Sequence, residues 1–577
     1  MKSSKPPVRT IGLVLEDANT DFGREILRSV IHAVTDRMNL RLVLISGRQD
    51  DNENREDFQR RYRSQYNQIF RMNERFRFDG LLLTFPNLNQ KREFDRGIPR
   101  VHIAIGSGDE LTVNYEDETG IREAIDYLVK IKGVTKLAML GGRDDNPDAC
   151  KRKRIFRQCL EDNGLTYSEN QFEKTDMTPG ETEAAGRLLA RNPDVQGIFC
   201  VNDAVASALY EVLKRQGRIP GRDVFVFGFD NGPLARELEP PLASVGADGT
   251  TLGKKALEML VLLMDGEQVV SQTIPTRLYG RASLEYEKFE FTARELFSTD
   301  PAFINNFFDA CFYRYHNESV SPGAINLRRL FQEILSRMLK SVKYRYMSEE
   351  EYEETARLIE IFFRNGAMQY TEPDRFVHSI SRLQSVMNES SLAGYTTKVN
   401  NRLLAMMKDE AICVQGIRVR MGNKRYREIG KKSLDFLIWT TNYLSPGDAA
   451  LDAMIRRMDR IGVENAALFL YNRPVFCREE HTPLPETIRL RCVLRNSELF
   501  EIPEERQECR MADLYHRSEL PAGQQGFISY PLFYGKYLFG MLVCHADEKL
   551  LEIGESLTCQ IGRSIYLNWV TPEETVC

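Results

Sequence analysis

No run of about 18 apolar residues occurs in this 577-residue chain, so no helix is expected to span a membrane. The longest apolar run, Ala256 to Met264, is interrupted by Glu258. The N-terminus, MKSSKPPVRT, lacks the apolar core of a secretory signal, so a cytoplasmic location is expected. Eleven cysteines are spread from Cys150 to Cys577 with no CxxC pair. That spacing argues for free thiols and against a disulfide frame or a zinc site. Positive charge is not in excess: 78 Lys and Arg stand against 83 Asp and Glu, a net charge of −5. The average surface therefore offers no basic face for displacing counterions from phosphate. No nucleophile–base constellation, phosphate loop, kinase histidine box or ATP-binding glycine loop is legible. No enzyme activity, cofactor or metal is expected.

What is present is length and rhythm. The length suggests about three or four domains at ~150 residues each. Thr10–Leu15, Leu40–Ile45, Asp79–Thr84 and Val101–Ile105 read as strands, and Phe22–Met38 as a helix with Ile26, Ile31 and Val34 at helical spacing. Strands alternating with helices imply a parallel sheet covered on both faces. The charged segment Arg48–Arg77 reads as a solvated helix with Phe58, Tyr62, Tyr66 and Phe70 inward. A second unit follows, with strands at Lys136–Leu140, Gly197–Val201 and Val224–Phe229 and helices at Ala149–Asn163 and Ala204–Gly217. Two such halves, each with its own sheet, make a two-lobed module whose cleft lies at the carboxyl ends of the strands, where open α/β sheets bind ligands.

FCVNDAVASALYEVLKRQGRIPGRDVFVFGFDN (199–231) resembles the sensor domain of the lac/gal-repressor family. PPLASVGADGTTLGKKALEML, LYGRASL and VNYEDETGIREAIDYLVKIKGVTKLAMLGG are similar to its crossovers and closing strand. The resemblance implies a periplasmic-binding-protein-like, ligand-sensing domain over residues 8–284, with lobes 8–107 plus 245–270 and 112–240 plus 272–284. Only Met1 to Pro7 precede the first strand, so the DNA-reading helix-turn-helix that comes before this sensor in the family is expected to be absent.

Six residues are candidates for ligand contact. Arg152 leads RKRIFRQCL, where the family's ligand arginine falls, and a guanidinium fork suits vicinal hydroxyls or a carboxylate. A basic solvated helix face is the bland alternative. Asn202 follows a strand and also suits a helix N-cap. Asp230 ends VFVFGFD and is equally compatible with turn chemistry before Asn231-Gly232. Asn19, Asp21 and Phe22 sit in the loop after the first strand. The sequence departs from the family pattern at Ala104 and Glu116, where aspartate is usual, and at Ile155, where glycine is usual. The ligand, sugar-like or nucleoside-like, need not be a common sugar.

Residues 289–444 read as a helical connector. A capping box at Ser348 and Glu351 opens a helix that ends at Asn365-Gly366. Arg402–Leu444 is compatible with one long helix, though Gly416, Gly422 and Gly430 weigh against continuity. Met407, Val414 and Met421 at sevenfold spacing suggest a coiled-coil seam, against ordinary helical packing. From Ser445 strands return at Ala466–Tyr471, Ile488–Leu494, Gly526–Phe533 and Tyr537–Cys544, flanked by helices at Ala449–Ile461 and Ile553–Trp569. The hairpin ISYPLFYGKYLFGMLVC, turning at Gly535-Lys536, resembles that of a GAF-type domain. Residues 445–570 are therefore expected to be an α+β GAF-like domain. Cys492, Cys509 and His545 lack metal-ligand spacing.

The expected function is a cytoplasmic, homodimeric, ligand-responsive regulator whose cleft closure is relayed through helices and the GAF-like domain to an unknown downstream protein. Direct DNA binding is not expected on average charge. The alternatives are a transcriptional regulator whose reader is unrecognised or supplied by a partner, for which Arg418, Arg420 and Lys424 to Lys432 are locally basic, and a fragment or degenerate relative of a sensor-linked diguanylate cyclase.

Overall fold

RTIGLVL is apolar on both faces, the pattern of a strand inside a covered parallel sheet. In the computed structural model it forms β1 (Arg9–Leu15), six of whose seven residues are buried. The structure describes residues 8–35, 39–48, 57–84, 97–104, 110–247, 249–284, 291–298, 301–312, 315, 326–371, 373–389, 395–441, 448–477, 482–520 and 526–570. Two units emerge, residues 1–285 with 429–577 and residues 286–428. Among the described residues no helix is long and apolar enough to cross a membrane.

In the first unit β1 leads through α1 (Asp21–Thr35) to β2 (Leu40–Ser46), then α2 (Asp57–Tyr66), α3 (Gln68–Asn73), β3 (Gly80–Leu83), β4 (Arg100–Ile103) and β5 (Thr112–Glu116). The chain crosses to the second sheet through α4 (Asp117–Asp126), β6 (Leu137–Gly141), α5 (Pro147–Asp162), β7 (Phe172–Lys174), α6 (Thr182–Arg191), β8 (Gly197–Cys200), α7 (Asp203–Arg215), β9 (Phe225–Phe229), α8 (Pro233–Glu237) and β10 (Ala243–Gly246). It returns through α9 (Gly249–Met264) and β11 (Gln272–Pro275), then ends in the second sheet with β12 (Arg277–Tyr279). The second sheet has the order β12-β10-β9-β8-β6-β7.

The crossover points differ from the expected lobe boundaries. Thr112–Glu116 and Gln272–Pro275 pair with each other in the first sheet, and Ala243–Gly246 pairs with β9 in the second. The chain therefore changes lobe near 116, 247 and 276, where hydrogen-bonded strands end, several residues from the sequence-based positions.

A larger difference lies at the edge of the first sheet. It is not confined to the first lobe. Gly526–Ser529 of β17 (Gly526–Tyr534) pairs in parallel with Leu42–Ile45 of β2. The first sheet thereby continues as β2-β17-β18-β13-β14-β15 into the C-terminal segment, giving twelve strands in all. That segment comprises α16 (Asp448–Arg456), β13 (Ala466–Phe476), β14 (Thr487–Arg495), β15 (Glu498–Glu501), α17 (Glu504–Gln507), β16 (Glu508–Arg510), β17, β18 (Tyr537–His545) and α18 (Glu548–Val570), with its own strands antiparallel. An edge strand left open is a template for foreign pairing, and here the chain closes it on itself. Pro531 helps set where this stops. It has no N–H to donate, and the pairing with β2 ends two residues earlier, at Ser529.

The junction corrects the reading of Arg48–Arg77 as one solvated helix. Two helices break at Asn67, and Gln65, Gln68 and Asn73 are buried beside Tyr66 and Phe70. The polar side is covered by the C-terminal segment. The Tyr62 and Phe533 rings are 5.4 Å apart, and the Tyr515 hydroxyl donates to Asn73 Oδ1 at 2.7 Å. Residues 49–56, and the side chain of Phe58, lie outside the described residues.

The unit 286–428 is helical. It contains α10 (Ala293–Phe297), α11 (Pro301–Cys311), α12 (Leu327–Tyr344), α13 (Glu349–Arg364), α14 (Pro373–Glu389) and the first part of α15 (Tyr395–Thr441). Its core is rich in phenylalanine, with Phe307, Phe308, Phe312, Phe331, Phe362 and Phe376 nearly inaccessible. The Ser348–Glu351 box forms, and Gly366 takes φ 81° beyond the end of α13. α15 is unbroken through its three glycines. Of the residues at sevenfold spacing, Met407 is buried in the helical core and Met421 is 67% exposed.

Candidate functional site

Local chemistry places each element of the cleft. Asn146 caps α5 by accepting from the Ala149 N–H at 2.9 Å, and Pro147 begins the helix at a position that needs no N–H donor. Asn202 caps α7, accepting from the Val205 N–H at 2.8 Å, while its amide donates to the Met177 carbonyl at 3.0 Å. The capping alternative for Asn202 thus holds, and the residue still sits at the carboxyl end of β8.

Arg152 is not on a solvated face. It is 6% exposed, with its guanidinium donating to the Val201 carbonyl at 2.8 Å and lying 3.5 Å from the centre of the Phe229 ring. Its Nε is 3.6 Å from Asp117, and an Nη is 4.0 Å from Asp230. Lys151 also reaches Asp117, at 3.5 Å. Burial works against the cation, but Asp117, Asp230 and Asp148 outweigh it and hold Arg152 above its ordinary range. The structure therefore brings Arg152, Asn202 and Asp230 together at the carboxyl ends of β8 and β9.

Asp230 is aimed by a strained turn. Asp230 and Asn231 have φ of 98° and 53°, a region that Asn and Asp tolerate better than most residues. A buried network holds this turn. The Asn231 N–H donates to Ser244 Oγ at 2.9 Å, and Arg281 donates to Asn231 Oδ1 at 2.6 Å. Asp203 accepts from the Gly232 N–H at 2.9 Å and from the Ser244 hydroxyl at 2.6 Å. Gly228 leaves room for this carboxylate, because a Cβ there would lie 2.3 Å from Asp203 Oδ1.

Burial, then the nearby Asp230 charge, push the Asp203 carboxyl well above its ordinary value of 3.8. The folded state therefore binds more protons than the unfolded chain as pH rises from about 4. The stability that Asp203 confers is complete below that pH and is lost as pH rises through the folded value. Relative to Asp203→Asn, the native protein should lose stability from about pH 4 upward. Urea midpoints of both proteins across that range test this, and a constant difference would refute it.

The first-lobe wall is built by Glu16 to Phe22. Glu16, beyond β1, faces Arg143, beyond β6, across the cleft: desolvation raises the Glu16 carboxyl and Arg143 draws it back down. Gly23 is required by the tight entry to α1, since a Cβ would meet the Asp17 carbonyl oxygen at 2.2 Å. Asn19 is half-buried. With its amide nitrogen turned toward the Leu551 carbonyl, it donates there at 3.0 Å and accepts from Arg48 at 2.8 Å. Phe22 is half-buried on the first turn of α1. Asp21 opens that helix, and its side chain lies outside the described residues.

Sequence reasoning missed Asp117, Tyr115 and Asp148. Tyr115 stands 6.2 Å from Phe229, and its hydroxyl is pushed far up by burial. In the run YEDETG nothing marks Asp117 as the buried acid. Glu116, beside it, caps α4 and accepts from the Glu118 N–H at 3.0 Å. Ala104 takes φ 58° at the end of β4, and Ile155 is buried within the second lobe. Among the described residues no group of His, Cys, Asp and Glu is placed to hold a metal.

Residues 125–284 match the family described as the periplasmic binding protein-like domain. The HTH-type transcriptional regulator CelR of Thermobifida fusca is 32% identical over 196 residues, 33% of this chain and 57% of its own length. The HTH-type transcriptional repressor CytR of Escherichia coli (strain K12) is 26% identical over 269 residues, 46% of this chain and 75% of its own. A solved transcriptional regulator CelR–cellobiose complex aligns with TM-score 0.41 and 26% identity over 48% of this chain and 86% of that one. The chain spans 57% of the length of the first curated relatives it matches. These relatives are named as transcriptional regulators, and what the comparison shows of this chain is a periplasmic binding protein-like domain over residues 125–284.

Proposed function

We propose that this chain is a cytoplasmic, homodimeric, ligand-responsive transcriptional regulator that binds a small polar molecule, sugar-like or nucleoside-like, in the cleft. The observation that carries this reading is the buried Arg152, stacked on Phe229 and flanked by Asp117 and Asp230 where two parallel strands end. A fixed guanidinium fork beside a strain-oriented carboxylate matches adjacent hydroxyls, which need both donors and acceptors. The relatives' names support the transcriptional reading, and cellobiose is the molecule bound to one of them. The exposed Arg420, Lys424, Arg427 and Lys431 of α15 support a DNA contact on this chain. We read 445–570 as a GAF-like relay, supported by its antiparallel sheet flanked by α16 and α18.

The test is thermal stabilisation of the full chain by cellobiose, ribose, cytidine and citrate. A ligand at 100 times its Kd adds about 2.7 kcal/mol. A sugar or nucleoside should stabilise the native protein and not Asp230→Ala. No shift with any of them, or the same shift in the variant, would overturn the assignment of the cleft.

A further inference from the structure

The loop that forms the first-lobe wall of the cleft is fastened to the C-terminal segment, more than 500 residues away in sequence. Arg48, just past β2, is the centre of the fastening. Its guanidinium pairs with Glu555 of α18 and lies 3.5 Å from Asp17 of the loop. With the Asn19 amide turned so that its nitrogen faces α18, Arg48 also donates to the Asn19 oxygen, and the Asn19 nitrogen donates to the Leu551 carbonyl at 3.0 Å. Arg48 is itself fixed. Its N–H donates to Asn67 Oδ1 at 2.8 Å, the Asn67 amide donates back to its carbonyl at 3.2 Å, and its guanidinium faces the Tyr66 ring at 5.8 Å.

α18 is equally fixed on its other side. Tyr530 of β17 donates to the Leu550 carbonyl at 2.8 Å, and a Cβ on Gly554 would run into the Tyr530 ring at 2.2 Å. A second path joins the same two places. β17 pairs with β2, and Ser46 at the end of β2 accepts from the Ala18 N–H at 2.8 Å. Two independent tethers thus meet at Asp17–Asn19, one through side chains and one through the sheet.

We infer that Arg48 is a positioning residue of the ligand site, acting through Asp17 and Asn19, and that the C-terminal segment completes and reads the cleft through it. A ligand that shifts the Asp17–Asn19 loop must change the Arg48–Glu555 and Asn19–Leu551 contacts. By linkage, whatever alters those contacts changes ligand affinity by the same factor. This rests on the cleft being the ligand site.

Hydrogen–deuterium exchange of the full chain tests the inference. Without ligand, Glu555→Gln and Arg48→Lys should speed exchange of residues 16–22 at least about five-fold, the lower end of ordinary coupling. Exchange at 42–46 and 526–530 should stay slow, because the strand pairing is untouched. An unchanged loop would overturn the proposal, as would loosening of loop and strands together, which marks a merely structural pair. With cellobiose, ribose or cytidine, whichever binds, exchange at 550–559 should slow in the native protein and not in Glu555→Gln. Slowing in both would overturn the coupling. If none of them binds, the cleft assignment fails while the ligand-free arm still decides the role of Arg48.

Discussion

Replacing Arg152 by alanine should destabilise the second lobe by about 3–5 kcal/mol, the usual cost of stripping one partner from a buried charge cluster. The Val201 carbonyl would lose its donor, and Asp117, Asp148 and Asp230 would face one another with their main counter-charge gone. The magnitude is decided by burial. A solvated arginine of α5, such as its exposed neighbour Arg157 paired with Glu161, should matter far less, because water screens the pair. For lobes of this size the loss corresponds to a melting shift of roughly 10 °C. Arg152→Lys keeps the charge but not the fork or the stacking on Phe229, so it should fall between alanine and the native protein. Thermal melting of the three proteins measures this. A shift for Arg152→Ala no larger than for Arg157→Ala would mean that the acid cluster is satisfied without its arginine.

The second large effect is expected at Gly540. Its φ is 155°, and an added Cβ would sit 2.0 Å from the Phe469 carbonyl oxygen and 2.8 Å from Leu470 Cα. Both obstacles are backbone of β13, so no side-chain rotation relieves them. Gly540→Ala should cost about 3 kcal/mol or more, in the range reserved for strain at special backbone positions. Gly535, in the hairpin turn, is the matched control: it takes φ 58° with open space around it, so Gly535→Asn should change little. Because β18 supports β17, and β17 closes the edge of β2, the loss at Gly540 should also quicken amide exchange at 42–45. Gly540→Ala melting like the native protein would show that β13 can move aside.

The hairpin turn at Gly535-Lys536 was legible as a pattern, whereas the need for glycine at 540 was not, because it comes from the backbone of β13 passing too close for any side chain. The helix ends around the cleft were legible in the same way. Asn202 announces a helix start and Asn163-Gly164 a helix end, because capping chemistry is local, while the start of α5 at Asn146-Pro147 lies two residues before the Ala149 read from the sequence. Arg152 was legible as a candidate through its place in RKRIFRQCL, yet its burial was not. Lys151, Lys153 and Arg154 around it have the composition of a solvated face, and only α4 delivering Asp117 against it makes a buried cation tolerable. The charge-rich segment 48–77 misled for the converse reason. Its polar residues read as facing solvent, whereas Gln65, Gln68 and Asn73 are buried in the protein.

The amino-acid sequence by itself determined the order and type of most elements, the two-lobed topology and the residues that end strands at the cleft. These follow from periodicity, caps and turns, which act over a few residues. Only the tertiary structure decided that β17 would pair with β2, that Tyr515 would meet Asn73, and that Arg48 would bind Asp17 to Glu555. Those partners lie hundreds of residues apart. Their pairing depends on which edge is open and which face is uncovered once each part has folded, and no local pattern in the chain records either.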